Sequence, residues 1–245
     1  MSCLLYCVAR VNLCNGCDPP LGWQRQQVSL VTGSGLSAAV SELEQSNLSP
    51  QVEDLLAYEK VVEYFFAKTT VVPMRYGCWL RGPAEVAAWL RQHRAEYDGL
   101  LRQIEGFGEM SVQILGGQCA VYDTAAPQPA GPYCRGHGDG PGAAYLSTRK
   151  QHYRVSDRAA GQQSDLVESL CSALAGTFAR RKVEAQGTGL GFPLIAVYFL
   201  VPNILVAPFR DAARAFGAAN GAKLLLSGPW PPYNFVDFQR AEPTS

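Results

Sequence analysis

Neither sign of charge is in excess in this 245-residue chain, where 21 Lys and Arg stand against 21 Asp and Glu. A nucleic-acid binder needs surplus cations to displace counterions from phosphates, so the balance removes the usual argument for DNA or RNA. It gives no reason to expect an anionic membrane surface either. Charged residues are sparse at 17%, while 47% of the chain is hydrophobic. A neutral chain is not held apart from its neighbours by charge, which makes association through apolar surface easier. An uninterrupted apolar run is also lacking. From Gly187 to Phe209 no side chain is charged, and the length would suffice to cross a bilayer. Pro193, Pro202 and Pro208 break it, since each interior proline removes a helical hydrogen bond and adds a ring clash. The segment reads as a buried strand over Leu194 to Val201, a turn at Pro202-Asn203 and a new helix, so no membrane span is expected.

Histidine is scarce. His93, His137 and His152 do not cluster in sequence with acids or thiols, so no nucleophile–base arrangement is visible. His93 falls on the apolar stripe of a helix and is expected to bond to backbone. Gly33-Ser34-Gly35 and Gly187-Thr188-Gly189-Leu190-Gly191 lack the Lys-Ser/Thr helix start of a phosphate loop and read as turns. The opening MSCLLYCVARVN lacks the basic region and the long apolar core of a secretory signal. The eight cysteines are therefore expected to be reduced cytosolic thiols.

The periodicity in the first half is mixed. Leu4 to Val11, Val28 to Val31 and Leu36 to Ser41 have strand character. A helix is predicted from Pro50 to Lys68, with Val52, Leu55, Tyr58, Val62, Phe65 and Phe66 at helical spacing. A short strand follows at Val71 to Tyr76. A long helical stripe then runs from Val86 to Ile104, beginning near Pro83 and stopped by Gly106 and Gly108, and Met110 to Leu115 is the next strand. Two helices on a largely antiparallel sheet make an α+β sandwich, with a ferredoxin-like variant the natural expectation. Between Asp123 and Gly142, prolines 127, 129, 132 and 141 and five glycines leave little that can pack. The expected division is an N-terminal unit over 1–120, a Pro/Gly-rich linker over 121–142 and a C-terminal α+β unit over 143–245. The last contains a helical stripe from Leu166 to Phe178, the strand Leu194 to Val201, a helix near Phe209 to Ala219 and the strand Lys223 to Leu226.

Three groups of residues carry the candidate chemistry. Cys14-Asn15-Gly16-Cys17, with Cys3 and Cys7 before it, has thiol spacing suited to zinc or exchange chemistry. Asp18-Pro19-Pro20 follows it rather than a helix, and a loop with free thiols is the plainer reading. Glu59 lies inside the stripe set by Leu55, Leu56, Val62 and Phe66 at about 100° per residue. A buried carboxylate needs a partner, and Arg75 on the next strand is the expected cation of a structural ion pair. Pro229, Trp230, Pro231, Pro232, Tyr233 and Phe235 form a stiff aromatic segment. It reads either as a preordered docking surface for a partner or as a terminal strap packed on its own domain, the plainer alternative.

Leu55-Leu56-Ala57-Tyr58-Glu59-Lys60-Val61-Val62-Glu63 and Val72-Pro73-Met74-Arg75-Tyr76-Gly77 resemble a helix motif and a strand motif of the gas vesicle GvpL/GvpF family. Gly142-Ala143-Ala144-Tyr145-Leu146 resembles the start of its second-domain helix. Ser227-Gly228-Pro229-Trp230-Pro231-Pro232-Tyr233-Asn234-Phe235-Val236 is similar to its terminal signature. The resemblance implies a ferredoxin-like N-terminal domain and a modified ferredoxin-like C-terminal one. It further implies a non-catalytic cytoplasmic role in gas vesicle formation, through contact with the small hydrophobic shell protein or with other accessory proteins. No cofactor or catalytic residue comes with it. A thiol- or zinc-dependent enzyme built on the N-terminal cysteines is the alternative, and a small-molecule sensor using a cleft between the domains is a third.

Overall fold

β1 (Ser2–Arg10) is the hub of the first sheet. It pairs with β3 (Leu36–Leu43) on one side and with β4 (Val72–Pro73) and β5 (Trp79–Leu80) on the other, and β2 (Ser29–Gly33) completes the sheet beyond β3. The structure, a computed structural model, describes residues 1–10, 18–44, 51–115, 165–187 and 193–236. Every residue from Cys3 to Ala9 is buried, because both faces of this sheet are covered. Such a strand reads as a continuous apolar run rather than as an alternation. On one face, Leu5, Val8, Leu36, Ala38 and Val40 meet α2 (Gly82–Gln92) and α3 (Arg94–Ile104). On the other, Leu4, Tyr6, Cys7 and Ala39 meet α1 (Val52–Phe66). The β2–β3 turn is two residues long, with positive φ at Ser34 and Gly35, as tight hairpins with right-twisted strands require.

A β-bulge lies between Leu5 and Cys7, where one residue of β1 has no opposite number on β3. That extra residue, Tyr6, uses its hydroxyl to accept from Trp23 N at 2.9 Å and to donate to Ser41 Oγ at 2.9 Å. Gly22 is required beside it, since a Cβ there would stand 2.1 Å from the Tyr6 hydroxyl. The Tyr58 hydroxyl of α1 lies 2.8 Å from Leu5 O and 2.9 Å from Met74 O, tying helix to sheet.

The long stripe predicted from Val86 to Ile104 is two helices, broken at His93 (φ −99°, ψ 16°). The break carries no Pro or Gly, and Val86, Leu90, Tyr97, Leu101 and Ile104 all reach one core. Periodicity alone therefore could not reveal it. His93 bonds to backbone as expected, with Nδ1 3.0 Å from Trp89 O.

The second sheet corrects the expected division of the chain. β6 (Phe107–Leu115), assigned from sequence to the 1–120 unit, sits in the middle of this sheet, in the order β7-β8-β6-β9, with β7 (Arg180–Gly187), β8 (Pro193–Pro202) and β9 (Lys223–Trp230). The chain changes sheets at Glu105-Gly106, ahead of the Pro/Gly-rich stretch 121–142, which lies outside the described residues. A strand's own pattern says that it is paired but not with which partner. With α4 (residues 165–173) between β6 and β7, and α5 (Val206–Asn220) between β8 and β9, the order among the described residues is β-α-β-β-α-β, which is ferredoxin-like. The N-terminal sheet keeps a similar strand order but departs from this pattern: helices cover both of its faces, and β5 also pairs with β1. The α+β class with two antiparallel sheets stands. The apolar segment after Gly187 parses as expected into β8, a 3-10 turn over Asn203–Leu205 and α5. Among the described residues no helix is long and apolar enough to cross a membrane.

Candidate functional site

Strict alternation along β6 decides which side chains reach the site. Met110, Val112 and Ile114 enter the core beneath α4 and α5. Glu109, Ser111 and Gln113 therefore stand on the opposite face, which has no helix of its own unit among the described residues. That face looks toward α1. Glu59 and Glu63 of α1, Glu109, Ser111 and Gln113 of β6, and Tyr198 of β8 line one cleft of about 330 Å³, closed at one end by Trp230, Tyr233 and Asn234.

The terminal segment closes the cleft by crossing between the units. β9 runs to Trp230 and pairs there with Glu109 through a register shift. Pro229 lies on an edge strand at an irregularity, where a missing N–H is tolerated. Beyond it, Pro231, Pro232, Phe235 and Val236 are buried. Tyr233 packs against the core on the α1 side of the first sheet, and Val236 joins the core on the other side. Arg180 stands over the Phe235 ring, 5.5 Å from its centroid. The segment is thus a strap, but it grips the N-terminal unit rather than only its own domain. Pro229 and Trp230 stay outside, the latter 42% exposed.

Glu109 anchors the strap. It is only 4% exposed; Oε2 accepts from Asn234 N at 2.8 Å and Oε1 from Asn234 Nδ2 at 2.7 Å. Burial raises its pKa, and the Asn234 bonds and the nearby Lys182 oppose the rise. The Tyr233 hydroxyl is raised by burial first, and then by Cys7, Glu59, Glu63 and Glu109 around it.

The Glu59–Arg75 pair expected from sequence is not formed. Both residues are exposed and no ion pair joins them; Glu59 instead lines the cleft. The stripe was anchored on Leu55 and Leu56, which are exposed, whereas the residues α1 buries are Tyr58, Val61, Val62 and Phe65. Recentred on those, Glu59 points outward. The zinc alternative loses two of its ligands, while Cys3 and Cys7 are free thiols. Cys3 and Cys7 have the same parity in sequence, but the bulge between them sends Cys3 to the α2–α3 face and Cys7 to the α1 face. They cannot be two ligands of one tetrahedral zinc. Cys14 and Cys17 lie outside the described residues, as do His137 and His152. Glu63, Glu109, Ser111 and Asn234 escaped the sequence reading, although the alternation Glu109-Met110-Ser111-Val112-Gln113 was a visible signal of a strand with a polar face.

Fold and site together define a class: a two-sheet α+β protein whose units are strapped across an acidic cleft. The sequence model of the family described as "Gas vesicle synthesis protein GvpL/GvpF" matches residues 2–237, and the chain belongs to that family. Among its relatives, gas vesicle protein F of Streptomyces sp. (strain CB03234) is 27% identical over 229 residues, covering 90% of each chain. Gas vesicle protein F1 of Halobacterium salinarum is 23% identical over 215 residues, 86% of this chain and 82% of that one. The crystal structure of GvpF from Anabaena sp. PCC7120 superposes with a TM-score of 0.80 at 16% identity, over 100% of this chain and 99% of that one. GvpF from Microcystis aeruginosa superposes with a TM-score of 0.75 at 14% identity, over 97% and 99%. These two show that the fold is shared. Family membership supports a role in gas vesicle formation.

Proposed function

We propose that this chain is a non-catalytic accessory protein of gas vesicle formation, working in the cytoplasm at the vesicle and binding the hydrophobic shell subunit. One observation carries the reading. Val52, Leu55 and Leu56 are exposed on α1 at spacings of three and four residues, so they form one apolar patch on the outer face of the helix. Scattered exposed apolar residues need no explanation, but contiguous ones on a regular element mark a contact surface. The exposed Trp230 at the rim of the cleft adds an aromatic anchor of the kind that dominates interface energetics. Covering apolar surface on a shell subunit until it is added in order is what such a patch does physically.

The test is retention of each vesicle protein on the immobilised chain, comparing the intact protein with Leu55→Asp/Leu56→Asp. Retention of the shell subunit by the intact chain, lost in the double variant, is expected. Retention only of other assembly proteins would move the partner to those. No vesicle protein retained by the intact chain, or equal retention by both, would overturn the reading.

A further inference from the structure

The geometry points to the cleft between α1 and the second sheet as a receptor for an arginine side chain presented by a partner polypeptide. Glu59, Glu63 and Glu109 line it, and no Lys or Arg does. None of the three carboxylates makes an ion pair among the described residues. Lys182, whose charge acts on Glu109, is paired with Glu184 at 3.1 Å. Glu109 is already held by two hydrogen bonds from Asn234, so the negative charge left for something from outside is that of the exposed Glu59 and Glu63.

A second, independent observation points to a ligand. Ser111 is 6% exposed, stands on the cleft face of β6 in register with Tyr198 and Ser227, and its hydroxyl makes no hydrogen bond among the described residues. The residue is more than nine-tenths buried and lines the cleft, where an incoming N–H would give its hydroxyl a protein partner in place of water.

The chemistry of the lining selects the cation. Among the described residues, no three acidic, Cys or His side chains are placed to hold a metal ion. A guanidinium carries five N–H donors in a rigid fork that matches carboxylates, and it stacks on aromatic faces. Tyr198, Tyr233 and Trp230 supply such faces. A cleft of about 330 Å³ is near the lower end of small-ligand sites, a size for a side chain rather than a whole chain segment. The apolar patch on α1 lies on the same helix one to two turns before Glu59, so a polypeptide docked there passes the mouth of the cleft. That a vesicle protein donates the arginine rests on the function proposed above; the recognition of the cation does not.

The experiment is an NMR titration of the ¹⁵N-labelled full chain with N-acetyl-arginine amide, read at the Trp230 indole and the Tyr233 amide, beside its neutral isostere N-acetyl-citrulline amide and beside Mg²⁺ alone. Saturable shifts with the arginine compound are expected. Binding should be roughly fivefold weaker both for the citrulline compound and for Glu59→Gln/Glu63→Gln, which changes only exposed helix positions. Absence of saturable shifts, equal binding of the neutral compound, an unaffected double variant, or the same shifts from Mg²⁺ would each overturn the inference. Shell-subunit retention by the intact chain separates the two readings: retention without saturable arginine binding sinks this inference alone, and arginine binding without retention sinks the partner reading alone.

Discussion

Glu109 and Asn234 stand 125 positions apart and share two hydrogen bonds, from the Asn234 backbone N–H to Oε2 at 2.8 Å and from its Nδ2 to Oε1 at 2.7 Å. This carboxylate, in the middle of the second sheet, is where the terminal segment is latched before it crosses to the first unit. Latch, strap and cleft are therefore one construction, and disturbing the latch disturbs both the joint and the site.

The latch has a pH signature. Burial raises the Glu109 pKa above the ordinary carboxylate value, so the folded state holds this proton more tightly than the unfolded chain does. Its contribution is fully present below the unfolded value and is lost as pH rises through the raised folded value. Urea unfolding at a series of pH values is expected to show wild-type stability falling across that window relative to Glu109→Gln, which cannot titrate. Parallel profiles would contradict this. Asn234→Ala, which removes the Nδ2 donor and leaves Oε1 unpaired, is expected to lower stability by about 1–3 kcal/mol.

Gly108 of β6 lies against the strap. A Cβ there would stand 2.8 Å from Pro229 Cβ, with Phe66 Cζ at 3.6 Å. A proline ring cannot rotate away, so Gly108→Ala is expected to push the strap off the sheet, lowering stability by about 1–3 kcal/mol in thermal unfolding. Gly99→Ala is the control. It lies within α3 with open space around its would-be Cβ and is expected to stabilise by about 0.5–1 kcal/mol.

The buried thiols are expected to be inert. Burial pushes Cys3 and Cys78 up to about 11, and Cys7 further. Iodoacetamide near neutral pH should label these three slowly in the native chain and rapidly after unfolding, because the thiolate is the reacting form. Fast native labelling of Cys3 or Cys7, read by peptide mass spectrometry, would revive thiol chemistry at this end of the molecule.

The α+β class, the positions of β1, β3, β6 and β8, and the helices α1 and α5 were legible because each has a clean run or period of apolar residues. The break at His93 was not, since it interrupts the backbone without interrupting the stripe. Glu59 was misplaced for a related reason. Leu55 and Leu56 looked like core residues, yet they stand exposed among the described residues, and a helical wheel carries no information about where the neighbouring sheet lies. In the terminal motif, the prolines and aromatics announced a stiff segment but not the unit it would grip.

Order, period and composition along the chain determined which segments are strands and which helices, that two sheets form, and to which family the chain belongs. Only the tertiary structure decided that β6 joins the second sheet, that the bulge at Tyr6 parts Cys3 from Cys7, and that Glu59 and Glu63 of α1 line one cleft with Glu109 of β6. The division follows from the range of the forces. Periodicity reports contacts within a few residues along one element, whereas pairing partners, the face a bulge reverses and the meeting of carboxylates from two units depend on contacts between segments far apart in the chain.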